Sequence, residues 1–231
     1  MSNVLMVLLL TVLSYGIGAF PTAYLVGRCN HINIFSSGSG NMGANNTYHT
    51  LGVGWAALVW VIDVGKGILA TVLARTMAPA SLLTLAGALS GLAVVIGHSW
   101  SLWALLLVGK LRGGKGAATA GGTWLVNAPP MVFAVTVGLW AIIAGSTGYV
   151  TLATLLMFAV GVLWMLALAS IHAIAPVAII YVIGVAAVIY WRHRTNLRAL
   201  IDGHERQITS PTVQTLMVAA GLIVLVLNLV R

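Results

Sequence analysis

Long apolar stretches separated by a few polar ones organise this 231-residue chain. Apolar runs fall at 4–27, 53–74, 80–97, 116–127, 130–146, 149–169, 171–191 and 212–230. A helix needs about 20 apolar residues to cross the hydrocarbon core, and most of these runs approach that length. The fourth run, 116–127, is shorter and crosses only if it tilts or the bilayer thins around it. Three polar segments interrupt the pattern: Arg28 to Thr50, Ser99 to Lys115 and Arg192 to Pro211. The other connections are minimal, as in the Ser146-Thr147-Gly148 turn. No internal repeat or low-complexity tract breaks the series. The pattern predicts an all-α integral membrane protein forming one membrane domain over 1–231, with a core over 4–208 and a last helix over 212–230.

Composition excludes the soluble alternative. The chain is 60% hydrophobic and 6% charged, whereas a soluble domain carries about 25% charged residues. Lipid must be its main solvent. The single cysteine, Cys29, rules out an intrachain disulfide and a thiol metal site. The stretch from Val4 to Val26 lacks a basic leader and is too long for an ordinary signal segment, so it reads as a retained first helix.

Charge adds a side and a partner class. Eleven Lys and Arg against three Asp and Glu give a net charge of +8. Arg28, Lys110, Arg112, Lys115, Arg192, Arg194, Arg198 and Arg206 lie in the three polar segments, against Arg75 and Arg231 elsewhere in loops or at the end. The positive-inside rule places those segments in the cytoplasm and the N-terminus outside, provided every run crosses. Anionic lipid alone would account for some basic excess. Clustering with glycine points further, to an anionic substrate. No solvated basic domain exists to carry nucleic acid, and no obligate protein partner is evident.

The chemistry concentrates in the polar segments. Ser36-Ser37-Gly38-Ser39-Gly40-Asn41-Met42-Gly43-Ala44-Asn45-Asn46 combines glycines free to take positive φ with hydroxyl and amide donors. Such turns form anion-binding nests, although a plain flexible loop has the same composition. The ending of a Walker loop is missing. Arg112-Gly113-Gly114-Lys115-Gly116 precedes an apolar helix, an arrangement that binds anions through free N–H groups and the helix dipole. A snorkelling lysine needs no such glycine neighbours. In the third segment His193 and Asn196 share a face at i and i+3 if the helix continues. Within the membrane, Asp63 and Lys66 read as a structural ion pair, with Gly65 and Gly67 allowing close helix packing. His98 ends its helix facing the second segment.

Together these segments resemble the bacterial acyl-phosphate:glycerol-3-phosphate acyltransferase family of the PlsY type. The matching residues are Gly38-Ser39-Gly40-Asn41 with Gly43-Ala44 and Asn46, then Thr50-Leu51-Gly52, Asp63-Val64 and Lys66-Gly67. Gly97-His98, Gly113-Gly114-Lys115-Gly116 with Ala118-Thr119, and Tyr149-Val150 follow. Arg192-His193-Arg194, Asn196, Gly203 and Glu205 close the series, and Pro21 and Tyr24 fit as well. The resemblance covers residues 16 to 208. His49 stands where the family has arginine, Asn33-Ile34-Phe35 where it has Asp-Ile-Arg, and Thr151 and Thr154 where it has serines. The stretch from His98 to Arg112 is longer than in the family, and the last helix extends past its usual end.

The resemblance implies seven core transmembrane helices plus the extra C-terminal one. It also implies transfer of a fatty acyl group from acyl-phosphate to the 1-position of glycerol-3-phosphate, giving lysophosphatidic acid and inorganic phosphate for phospholipid synthesis. No metal, cofactor, coenzyme A or acyl carrier protein is expected. By motif, Gly38, Ser39, Gly40 and Asn41, with Gly43 and Asn46, cradle a phosphate, and Lys115 with Gly113 and Gly114 neutralises phosphate charge. His193, Asn196, His49, Thr151 and Thr154 orient glycerol-3-phosphate, and Glu205 fixes a basic neighbour. No Ser-His-Asp set is visible, so direct attack by the glycerol hydroxyl is expected, with a substrate phosphate or His193 taking the proton. The expected location is the bacterial cytoplasmic membrane, with the site facing the cytoplasm. The competing readings are a transporter or channel for a phosphorylated solute and an inactive homologue that binds anionic lipid.

Overall fold

The computed structural model describes residues 2–229, and they divide into two compact units, one ending at Asn127 and the other beginning at Ala128. Among the described residues, the long elements are all helices. Seven are long and apolar enough to cross a membrane, and the last of these is the C-terminal helix. Outward-facing side chains confirm the solvent: Leu163 and Ile180 are 68% and 67% exposed.

The first unit contains α1 (Asn3–Ala19), α2 (Thr22–Cys29), α3 (Ala44–Leu51), α4 (Val53–Met77), α5 (Leu83–Ser99), α6 (Leu102–Val108) and α7 (Ala117–Asn127). Helices α1 and α2 share one apolar stretch, broken at Phe20–Pro21 because proline lacks the N–H that would continue the ladder. Lipid provides no hydrophobic drive between helices, so close backbone approach takes its place. A Cβ on Gly18 would overlap the Val94 carbonyl, and one on Gly97 would overlap that of Tyr15, which seats α1 on α5. Gly67 against Thr119 and Gly122 against Val64 do the same for α4 and α7. Gly65, expected to share in this packing, faces open space. Helix α7 has 11 residues and so spans roughly 16 Å at 1.5 Å per residue, about half of the hydrocarbon thickness.

The second unit contains α8 (Pro130–Thr147), α9 (Val150–Ser170), α10 (Pro176–Ile201) and α11 (Pro211–Leu229). Proline opens α8 and α10, where its missing N–H costs nothing. Gly148, at φ 74°, turns the chain between α8 and α9. Helix α11 lies on α8 through Gly138, Gly145 and Gly221, where any Cβ would meet the opposing helix. The segment between α10 and α11 is tied to the α8–α9 turn. Ile208 N–H donates to the Gly148 carbonyl at 2.9 Å, and Gln207 Nε2 donates to that of Thr147 at 3.3 Å.

Candidate active site

In the first unit, Ile34 and Met42 anchor the glycine- and serine-rich loop in an apolar core with Ala23, Val26 and Val59. Gly38 and Gly40 take φ of 60° and 66°, which side chains with a Cβ adopt only with strain. Asn46 is buried and staples the loop from within. Its Nδ2 donates to the carbonyls of Ser37 (3.1 Å), Asn41 (3.0 Å) and Ile34 (3.3 Å), and its Oδ1 accepts from Ser39 N–H at 2.8 Å. Gly40 N–H donates to the Ser37 carbonyl at 3.0 Å. Two of the backbone donors expected to cradle phosphate are therefore used inside the loop, and Asn46 shapes the loop. The amide end of Asn41 is different: its Oδ1 is buried with no partner, an orphan that calls for a ligand or water. Helix α3 begins just beyond, at Ala44, with Gly43 as N-cap and no side-chain cap. Its first-turn N–H groups and dipole favour an anion there.

The second segment packs onto the first. Arg112 Nη1 reaches the Phe35 carbonyl at 3.5 Å, and its guanidinium lies 5.5 Å from the Phe35 ring centre. Gly114 N–H donates to the His98 carbonyl at 3.0 Å. A Cβ on Gly114 would overlap the His98 ring and lie 2.7 Å from the Met42 carbonyl, and one on Gly113 would overlap the backbone of His98 and Ser99. These two glycines permit close approach, while Gly116, next after Lys115, takes positive φ, at 85°. Lys115 is half-buried, two residues before α7. The geometry thus joins Gly38–Asn46 to Gly113–Lys115. His49 stands exposed in the last turn of α3, edge-on to the Tyr48 ring at 5.1 Å.

Behind this pair of segments lies a buried polar cluster. Lys66 Nζ sits 2.7 Å from Asp63 Oδ1, confirming the ion pair. It also donates to the Phe20 carbonyl at 2.9 Å and the Gly18 carbonyl at 3.4 Å. Those carbonyls are stranded by the α1–α2 break, and Ser101 Oγ takes the Ala19 carbonyl between them. Thr22 Oγ1 donates to Asp63 at 3.1 Å, and His98 Nδ1 lies 3.3 Å from Lys66 Nζ. The i and i+3 spacing predicts the Asp63–Lys66 pair but not its carbonyl partners. Pro21 within an apolar run was the available signal, since it leaves carbonyls that need donors.

In the second unit, α10 continues through Arg192 to Ile201, which places His193 and Asn196 on one face. His193 is buried, and its Nδ1 lies 2.8 Å from the Ile189 carbonyl. A carbonyl only accepts, so Nδ1 carries hydrogen toward it. Asn196 Nδ2 donates to both Glu205 oxygens at 2.9 Å, and Thr151 Oγ1 donates to one of them at 2.5 Å. Glu205 therefore has amide and hydroxyl partners where a basic neighbour was expected. Thr154 lies apart from this trio, its hydroxyl accepting from Trp140 Nε1 at 3.1 Å. Trp140 was missed, although a tryptophan inside an apolar helix needs an acceptor.

The glycerol-3-phosphate acyltransferase family profile matches residues 8–203. A glycerol-3-phosphate acyltransferase of Rubrobacter xylanophilus is 37% identical over 199 residues, which are 86% of this chain and 94% of that protein. One from Desulforudis audaxviator is 35% identical over 212 residues, covering 88% and 96% of the two chains. Among solved structures, PlsY, an integral membrane glycerol 3-phosphate acyltransferase, superposes with a TM-score of 0.78 in its glycerol 3-phosphate form. That match has 26% identity and covers 90% of this chain and 98% of that one. The lysophosphatidic acid form gives a TM-score of 0.75 at 27% identity, with 91% and 98% coverage.

Proposed function

This chain belongs to the glycerol-3-phosphate acyltransferase family, and within that activity we propose that its acyl donor is an acyl-phosphate. It is a multi-span membrane enzyme that acylates glycerol-3-phosphate. The supporting observation for the donor is the convergence of two glycine-rich segments on one buried scaffold: Gly114, beside Lys115, lies against the Met42 carbonyl next to Asn41. Lys115 and the uncapped start of α3 are two features suited to phosphate oxygens, and the unsatisfied Asn41 Oδ1 beside them is an acceptor suited to a substrate hydroxyl.

An acyl-phosphate is a mixed anhydride with a good leaving group, so positioning and charge stabilisation suffice. The 1-hydroxyl oxygen of glycerol-3-phosphate attacks the acyl carbon. A new ester C–O bond forms, the C–O bond to phosphorus breaks, and inorganic phosphate departs with the electron pair. The hydroxyl proton passes to a substrate phosphate or to His193. In the second unit, Asn196 and Thr151, held by Glu205, and Thr154, held by Trp140, are the polar groups suited to orienting glycerol-3-phosphate.

The family match favours acyl transfer over the transporter reading, and turnover by purified protein separates it from an inactive lipid-binding homologue. The further reading is a bacterial cytoplasmic membrane location with the N-terminus outside and the glycine-rich segments on the cytoplasmic side; the basic-residue count supports that orientation on condition that the short α7 crosses a locally thinned bilayer. The test of the donor is purified protein in lipid with glycerol-3-phosphate and either acyl-phosphate or acyl-coenzyme A. Lysophosphatidic acid and inorganic phosphate should appear in equal amounts with acyl-phosphate alone. Lysophosphatidic acid formed only from the thioester would overturn the donor assignment.

A further inference from the structure

Between α5 and α7 the chain makes an excursion that the acyl-transfer chemistry leaves unused. Helix α6 is only seven residues long, yet both its ends are built: Ser101 caps its start by accepting from Ala104 N–H at 3.1 Å, and Gly109 ends it in the left-handed region at φ 69°. The base is closed by Ser101 N–H donating to the Arg112 carbonyl at 3.0 Å. Only Ala104 of this helix is buried. Leu102, Trp103, Leu105, Leu106, Leu107 and Val108 are all exposed, Leu106 by 70%. A helix that is apolar all round has no face for water, and an exposed patch of this kind marks a surface that meets lipid or protein.

Two observations favour lipid. The excursion follows directly on the candidate span ending at Ser99, so its base emerges where that span meets the interface. It also carries Lys110 and Arg112 with no acidic residue between 99 and 116, matching the negative surface of an anionic leaflet.

We propose that α6 lies in the plane of the membrane, sunk about 5–10 Å into the headgroup–acyl boundary of an anionic leaflet, with Lys110 at the phosphates above it. Arg112 closes the base and adjoins Gly113, so the depth of α6 is passed along the backbone to the segment bearing Lys115.

The test uses full-length protein with Cys29→Ser and either Leu106→Cys or Lys110→Cys, labelled with an environment-sensitive fluorophore in phosphatidylglycerol–phosphatidylcholine vesicles. The Leu106 label should emit to the blue and lose most of its intensity to nitroxides on acyl chains. The Lys110 label should lose more to nitroxides on headgroups. Quenching at Leu106 should be stronger when the nitroxide rides on phosphatidylglycerol than on phosphatidylcholine at equal mole fraction. Water-like, unquenched emission at Leu106 would overturn the proposal. Blue-shifted emission that no lipid nitroxide quenches would also overturn it, by showing a second protein copy in place of lipid. Equal quenching from both lipids would overturn its anionic component.

Discussion

A single side chain in each glycine-rich segment can be given a job that its neighbours cannot do. Lys115 is the only cation within the Gly113–Gly116 run, and its segment is locked against His98 and Met42. Removing one preorganised charge-stabilising donor typically costs about 10²-fold or more in turnover. Lys115→Ala should therefore lose at least roughly that factor, with thermal stability unchanged; near-normal turnover in folded protein would remove the phosphate role. His49 offers a gain in place of a loss. Arginine carries a permanent charge and a fixed fork of donors, whereas histidine titrates close to neutrality. Substrate phosphate is already mostly dianionic above about pH 7, its second pKa being near 6. His49→Arg should then bind glycerol-3-phosphate better than the native chain, and the advantage should widen with rising pH wherever histidine loses charge and arginine does not. Parallel KM–pH curves would show that His49 does not read the substrate's charge.

At the scale of elements, what the pattern of polar and apolar residues reveals depends on how local the cause is. The long apolar runs were legible because lipid imposes length and composition on each helix separately. The continuation of α10 from 191 to Ile201 follows from the lack of any breaker before Asp202-Gly203. Helix α3 lies in a polar segment whose pattern predicts no helix, because asparagine and threonine compete with helix formation through their side chains; the buried Asn46 and Thr47 help to hold it in the fold. The same holds for Gly113 and Gly114. Their presence was visible, but close approach to His98 could not be told from positive φ until both segments were placed. The α1–α2 break carries its own prediction. Lys66 feeds both Asp63 and the stranded carbonyls of Gly18 and Phe20, so Lys66→Met leaves a buried carboxylate unpaired. Loss of one partner of a buried pair costs about 3–5 kcal/mol, and thermal unfolding in detergent should show a marked destabilisation. Adding Asp63→Asn should recover part of it, because the uncompensated charge is gone. If the double variant unfolds no later than Lys66→Met alone, carbonyl satisfaction outweighs the ion pair.

For the whole molecule, the chemistry becomes a matter of sidedness: an enzyme that takes glycerol-3-phosphate from one compartment must present there the segments proposed to bind phosphate. The basic residues divide unevenly between the two faces predicted from the apolar runs, and cytoplasmic loops carry the excess of lysine and arginine. On that count the proposed side of the 30–52 loop is the cytoplasmic one. Cys29 ends α2 at the entrance to this loop, is exposed, and is the only cysteine in the chain, so a thiol reagent reports on one position. A membrane-impermeant maleimide should leave Cys29 unlabelled in intact cells and label it in inverted vesicles. Solubilised protein, in which both faces are open, should label in either case and so control for access. Efficient labelling of intact cells would reverse the orientation and place Gly38–Asn46 on the side away from cytoplasmic substrate. The activity could then survive only if glycerol-3-phosphate were supplied from outside, and that can be measured on the same vesicles by adding the substrate to one face at a time.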